Sequence, residues 1–267
     1  MERTEAWDSY FYPETINEAG YGTLKNKLGE RNPIALRYIE YGYTAIRERE
    51  LLSGSAKVDH TYGADHLRAI HRHLFQDIYD WAGEFRTINM GKNAAGFANI
   101  ENGDLDQMLK EVQRAVGQVQ WADLNADQFA MSSAALFSFV NHAHPFREGN
   151  GRTSKIFMEH VAEQSNFTLD FSQVDRDLWN ATAEASRPKP ERPYLDPLPL
   201  VNVFALATKE RAVEQTKETG AVHLDLSKAS YPAPATKSLN EATQGQDSMP
   251  RRGTPYLPGR SIGNHER

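Results

Sequence analysis

Residues 144–152, HPFREGNGR, set a histidine, a glutamate, two arginines and two glycines around one asparagine. His144 ends one helical pattern and can take a proton from an attacking hydroxyl, a role worth about 10²–10⁴-fold in rate. Glu148 offers carboxylate oxygens to a hard cation such as Mg²⁺, which would keep water and phosphate oxygens as its other ligands. Gly149, Asn150 and Gly151 form the junction to a second helical pattern. Free N–H groups at such a helix start, with backbone able to curl, make a concave anion site. Arg152, in the first turn, adds a charged fork for phosphate oxygens. Pro145 and Phe146 hold the loop, Phe146 as a core anchor. A plain helix connector would explain either half of this stretch, but not base, acid, cradle and arginine in functional order. The combination reads as nucleotidyl or phosphoryl transfer to a hydroxyl.

The surrounding pattern is mostly helical. In residues 33–52 Ile34, Leu36, Ile39, Tyr43 and Ile46 form one apolar stripe. Residues 63–83 predict a second helix with Leu67, Ile70, Leu74, Ile78 and Trp81 on one face and Gly83 as its stop. Residues 85–100 lose that period and predict a short hairpin with a Gly-rich tip. Helices are predicted again over 104–120, 125–143 (capped by Asn125 or Asp127), 153–164, 175–186 and 196–218, the last entered through Asp196 and Pro197. From about Gly220 the Pro, Ser, Gly and Thr content rises and a disordered tail is expected.

Composition narrows the function further. The 267 residues are 39% hydrophobic and 25% charged, enough for a real core, with a formal net charge of -6. That balance argues against direct, non-specific binding of nucleic acid. Cysteine is absent, which excludes thiolate catalysis and Cys-ligated zinc and fits a reducing compartment. No apolar leader and no membrane-length apolar run is present, so a soluble cytoplasmic protein is expected, with secretion by another signal left open.

HPFREGNGR resembles the signature of the Fic (Fic/Doc) family, H-x-F-x-[D/E]-G-N-G-R-x-x-R, at every specified position but the last. The likeness extends to IHRHLFQDIYDWAGEFR, similar to the helix leading into the family's flap. GFANI resembles the flap's second strand, and YFYPET…LKNKLG the N-terminus of short bacterial Fic toxins. About residues 8–205 are covered. The resemblance implies an all-α, Fic-type helical domain with a short β-hairpin flap. The domain would span 1–205, with its motif at 144–155 and its flap at about 85–100; the end of the last helix and the tail would fill 206–267.

It implies transfer of AMP from ATP to a Tyr, Thr or Ser hydroxyl of a target protein, with His144 as base, Glu148 as ligand of Mg²⁺ or Mn²⁺, and Gly149 to Arg152 as the phosphate site. Flap residues Lys92, Asn93 and Phe97 would clamp the target by strand addition and border the nucleotide, and Trp179 and Asn180 would meet the adenosine. The family's final arginine is Lys155 here, which keeps the charge but loses the two-pronged geometry. Gly151 argues against the kinase branch, which carries lysine there. The alternatives are a Fic-type transferase of another phosphate-containing group, or a catalytically silent binding module. Relatives are held off by a helix bearing [S/T]-x-x-x-E-[G/N], a spacing missing from this chain, so a separate small antitoxin with that helix is expected. Among short bacterial relatives, type II topoisomerase subunits are the implied targets.

Other candidates read more plainly. His60, His66, His71 and His73 crowd one region, but His71 and His73 are two apart and do not face each other on a helix. Solvated or capping histidines are expected there, and local hydrogen bonding for His142 and His160. GKNAAG lacks the Walker spacing.

Overall fold

The computed structural model describes residues 5–92 and 95–212. The stretch from about Gly220, expected to be a tail, lies outside the described residues. In chain order the elements are α1 (Glu5–Asp8), α2 (Pro33–Leu52), α3 (Ala64–Phe75), β1 (Gly91–Lys92), β2 (Ala95–Gly96), α4 (Asp104–Gln118), α5 (Ala126–Ala143), α6 (Asn150–Ala162), β3 (Phe167–Leu169), α7 (Arg176–Ala185), α8 (Leu198–Ala207) and β4 (Thr208–Glu210). The domain is therefore mostly helical. β1 and β2 form the expected antiparallel hairpin, with Gly91 opposite Gly96 and Lys92 opposite Ala95.

Helix α5 is the central element. Asn125 and Gln128 close a reciprocal capping box at its start, satisfying two amide donors that the helix leaves open. Phe129, Ala134, Phe137, Val140 and Ala143 are all buried, because α5 packs against α4 on one side and α8 on the other. It ends at the motif. Helix α6 begins after a six-residue loop and packs against α2, α3 and α5, so the loop between α5 and α6 is surrounded by helices.

Three sequence expectations fail for identifiable reasons. In α2 the stripe Ile34, Tyr43 and Ile46 is exposed, and the buried face is Leu36, Glu40, Thr44, Glu48 and Leu51. That face is polar because it meets the cationic side of α6: Arg152 binds Glu40 and Thr44. The second helix stops at Phe75 instead of Gly83, and Ile78 and Tyr79 both turn their amides back to the Phe75 carbonyl. The Ile78 carbonyl accepts from the amide of Lys27 at 2.8 Å, so the N-terminal segment takes the place of a helical partner. The last helix stops at Ala207, where the Thr208 hydroxyl caps the Phe204 carbonyl at 2.6 Å. Residues 208–210 then pair antiparallel with 167–169, a second small sheet that periodicity did not predict.

The face assignment of α2 is testable by urea unfolding. Glu40→Ala leaves the Arg152 guanidinium buried without its carboxylate and should cost about 3–5 kcal/mol. Ile46→Ala, on the exposed side, should stay within about 0.5 kcal/mol of the parent. Equal losses would mean the helix is rotated from this register.

Candidate active site

His144 is the C-cap of α5, in the left-handed conformation with φ 42° and ψ 57°. A histidine there is uncommon and carries strain, so its surroundings must hold it. Its amide donates to the Val140 carbonyl at 3.2 Å, and its carbonyl accepts from Arg86 Nε at 2.9 Å. The imidazole lies flat on the Phe97 ring, with centroids 3.6 Å apart and planes 9° from parallel. Phe97 is fixed in turn by its amide to the Met90 carbonyl, and the Arg187 guanidinium covers it at 4.6 Å. The flap thus reaches His144 through an aromatic stack.

Arg86 organises this corner. It is buried, and it donates to the carbonyls of His144, of Ile88 at 2.7 Å and of Ala98. Its own amide donates to the Pro145 carbonyl at 2.8 Å. Burial pulls its pKa down to about 10, which leaves it charged at neutral pH.

The turn that follows is held from two sides. Asn150 accepts from the Phe146 amide at 2.9 Å through Oδ1 and donates to the Phe146 carbonyl at 2.8 Å through Nδ2. His71 accepts from the Gly83 amide at 2.8 Å through Nδ1, which leaves Nε2–H to donate to the Glu148 carbonyl at 3.1 Å. That pattern fixes a neutral tautomer. Burial pushes its pKa to about 3, with the Glu148 carbonyl pulling upward and the Arg152 charge pushing down. Its ring stacks on Phe146 at 3.9 Å. His71 is therefore a buried support of the motif, and His66 is buried as well; neither is the solvated or capping histidine expected from sequence.

Gly149 has φ 81°, and a Cβ there would meet the Phe75 ring at 2.2 Å, so the position requires glycine twice over. Beside it the Glu148 carboxylate is half exposed and uses Oε1 for both its contacts, accepting from the Gly149 amide at 2.9 Å and lying 3.5 Å from Arg152. A Cβ built on Gly151 meets nothing within 4 Å, which leaves room at the start of α6.

A cavity of about 360 Å³ opens here, and His144, Glu148, Asn150 and Gly151 share its wall with Phe97 and Asn180. Trp179, Ala183 and Arg187 complete the far side. Three expected site residues lie off this wall. Gly149 sits behind it against Phe75. Arg152 turns to α2, binding Glu40 and donating to the Thr44 hydroxyl at 3.2 Å, between the rings of Phe75 and Tyr41. Lys155 lies over Trp179 at 4.9 Å and Phe171 at 5.2 Å, and burial lowers its pKa against the upward pull of Glu48 and Glu159. Lys92 ends β1, and Asn93 lies outside the described residues.

Sequence reasoning missed Arg86, His71, Arg187 and Glu40. Arg86 had one available signal, a lone arginine in the otherwise uncharged run FRTINMG.

A histidine at a left-handed helix end, a carboxylate and the start of a helix share one cavity wall, in the order of the Fic signature. Residues 61–162 match the model of the Fic/DOC family. A probable protein adenylyltransferase Fic of Escherichia coli is 31% identical over 181 residues, covering 66% of this chain and 82% of that protein. The protein adenylyltransferase VbhT of Bartonella schoenbuchensis is 30% identical over 170 residues, 63% of this chain, and the match spans 34% of that longer protein. Among solved structures, the N-terminal Fic domain of a putative cell filamentation protein from Bartonella quintana, with bound ADP, superposes with a TM-score of 0.65 at 26% identity. That match covers 76% of this chain and 96% of the other. The chain belongs to the Fic/DOC family.

His71 gives the site a measurable acid limit. Its native pKa lies below its ordinary value of 6.5, so the unfolded chain binds the proton more readily and stability rises with pH between about 3 and 6.5. The His71 contribution is complete above pH 6.5 and is lost as pH falls, with a slope of up to about 1.4 kcal/mol per pH unit. Urea midpoints taken from pH 7 to pH 4 should fall less steeply in His71→Gln than in the parent. Parallel slopes would show that His71 is not held neutral.

Proposed function

We propose that this chain is a protein adenylyltransferase that moves AMP from ATP to a hydroxyl side chain of a target protein. The observation that carries the reading is His144, held in a left-handed turn on the cavity wall beside Glu148 and the open start of α6. The names of the E. coli and Bartonella relatives and the ADP bound to the B. quintana domain support it.

In this scheme a ring nitrogen of His144 takes the proton of the target hydroxyl as its oxygen attacks the α-phosphorus of ATP. A new oxygen–phosphorus bond forms, the bond from the α-phosphorus to the bridging oxygen breaks, and pyrophosphate leaves with that electron pair. Gly151 and the first amides of α6 receive the phosphates. Asn180 and Trp179 border the adenosine, and Phe97 holds the base in place. Lys92 and Asn93 of the flap would align the target backbone by strand addition. Arg152 and Lys155 lend positive charge from behind the wall, and either reaches a phosphate only by leaving its present partners.

Glu148 fits a hard cation: its carboxylate is half exposed on the cavity wall and both its protein contacts use one oxygen. It would hold Mg²⁺ or Mn²⁺, which screens phosphate charge when bound.

The partners we assign rest on family likeness. They are a target with a Tyr, Thr or Ser hydroxyl, with a type II topoisomerase subunit as first candidate, and a small antitoxin whose glutamate would meet Lys155. A cytoplasmic bacterial setting fits these partners. No described helix is long and apolar enough to cross a membrane.

Two measurements test the reading. Full-length protein given ATP labelled at the α- or the γ-phosphate should pass on label from the α position only. His144→Ala should lower that transfer by at least about 10²-fold while nucleotide binding persists. Label from γ alone would mean kinase activity, and label from neither would mean another donor or a silent binding module. Separately, Glu148→Gln should lower the rate at saturating Mg²⁺ while unfolding stays within about 0.5 kcal/mol of the parent. Undiminished transfer in excess chelator would remove the cation from the scheme.

A further inference from the structure

His60, His66 and His160 come from three stretches of chain: the loop before α3, α3 itself and the last turn of α6. One imidazole nitrogen of each lies within 4.8 Å of the others. His66 Nε2 and His160 Nδ1 are 2.9 Å apart, with ring planes 6° from parallel and centroids separated by 5.1 Å. That separation places the two rings edge to edge, sharing one proton between facing nitrogens. His60 lies across the pair, its centroid 4.9 Å from His66 and 4.3 Å from His160, and its Nδ1 is 3.5 Å from Glu163 Oε2.

The chemistry of this group is unlike that of a packed core. His66 is fully buried and His160 nearly so, and Nδ1 of His66 has no hydrogen-bond partner among the described residues. Burial, followed by the mutual repulsion of the imidazoles, pushes His66 to about 3 and His160 to about 4. Imidazole nitrogen is among the commonest ligands of zinc.

We propose that His60, His66 and His160 form a zinc site, with Glu163 or a water as the fourth ligand. Zinc takes tetrahedral nitrogen ligands at about 2.0–2.1 Å, which puts neighbouring nitrogens about 3.3 Å apart. For that the His66–His160 contact must open by about 0.4 Å, the three rings must turn so that their in-plane lone pairs converge on the ion, and the shared proton moves to an outer nitrogen. Three imidazoles and one oxygen suit zinc better than Mg²⁺ or Ca²⁺, which prefer oxygen ligands. His60, whose side chain is about a third exposed, gives the ion a way in.

The site is separate from the transfer chemistry. His160 lies ten residues along α6 from Asn150, about 15 Å at 1.5 Å per residue. An ion there would tie α3 to the far end of the helix whose start receives the phosphates. His73, by contrast, bonds Glu50 at 2.9 Å, and His71 supports the motif, so the sequence quartet divides between three duties.

The test uses the full-length chain after chelator treatment, titrated with Zn²⁺ alone and followed by calorimetry and thermal unfolding. Wild type should take up one ion per chain and unfold at higher temperature when loaded. His60→Ala, which removes an exposed ligand without touching the buried pair, should weaken uptake by at least about tenfold and lose the thermal shift. His144→Ala should bind zinc as the parent does, separating this site from the base. Cobalt in place of zinc should give the strong visible bands of four-coordination in wild type and His144→Ala, and not in His60→Ala. No uptake by wild type, or equal uptake by wild type and His60→Ala, overturns the proposal and leaves the adenylyltransferase reading untouched.

Discussion

The buried guanidinium of Arg86 is the contact on which the site's geometry rests. One planar group gathers the carbonyl of His144 from the motif and those of Ile88 and Ala98 from either side of the flap. Each of those oxygens would otherwise need water inside a helical core, and a buried polar group left unpaired costs about 1–3 kcal/mol. The same cation therefore ties the flap to His144. The stack of Phe97 on His144 follows from that arrangement. A lysine could not replace it, since its point charge cannot reach three fixed carbonyls from one plane.

Behind the cavity the charges are nearly balanced before any phosphate arrives. Arg152 is neutralised by Glu40 on α2 and touches Glu148 at its edge. One turn further along α6, Lys155 feels Glu48 and Glu159, and the Glu159 carboxyl is pushed up to about 8 by burial and by Glu48. At neutral pH Glu159 is thus mostly protonated. A buried face of Glu40, Thr44 and Glu48 on α2 is what two cations on α6 require, since an uncompensated buried charge is far costlier than an imperfect pair.

The motif was legible because its parts are contiguous. His144, Glu148, Asn150 and Gly151 stand within eight residues and meet on one cavity wall. The helices were legible where burial is apolar, as in α5 and α4, and misleading where it is polar. Period alone put Ile46 in the core of α2, because hydrophobic patterning cannot see a salt bridge to a residue more than a hundred positions away. His71 and Arg86 were invisible for a related reason: each acts on backbone carbonyls brought near only by the fold, and sequence carries no mark of a carbonyl's orientation. His60, His66 and His160 show the limit again, since their partner histidine lies 94 residues from His66.

The residues that match the family model, 61–162, do not complete the site by themselves. Arg147, within the motif, is buried with its guanidinium 4.5 Å from Trp7, 5.0 Å from Phe11 and 5.5 Å from Tyr10. The aromatic N-terminal stretch thereby closes one side of the loop by cation–π contact. Glu40 closes a second side through Arg152, and Arg187 a third through Phe97. In the first two contacts a cation of the motif takes a partner from outside the matched segment, and in the third a cation from outside it covers a ring within it. The loop carries a left-handed histidine and a left-handed glycine in close succession, and local sequence does not favour two such turns. Its shape is therefore a property of the whole helical domain, reached only when α2, the N-terminal aromatics and the region after α6 have packed around it.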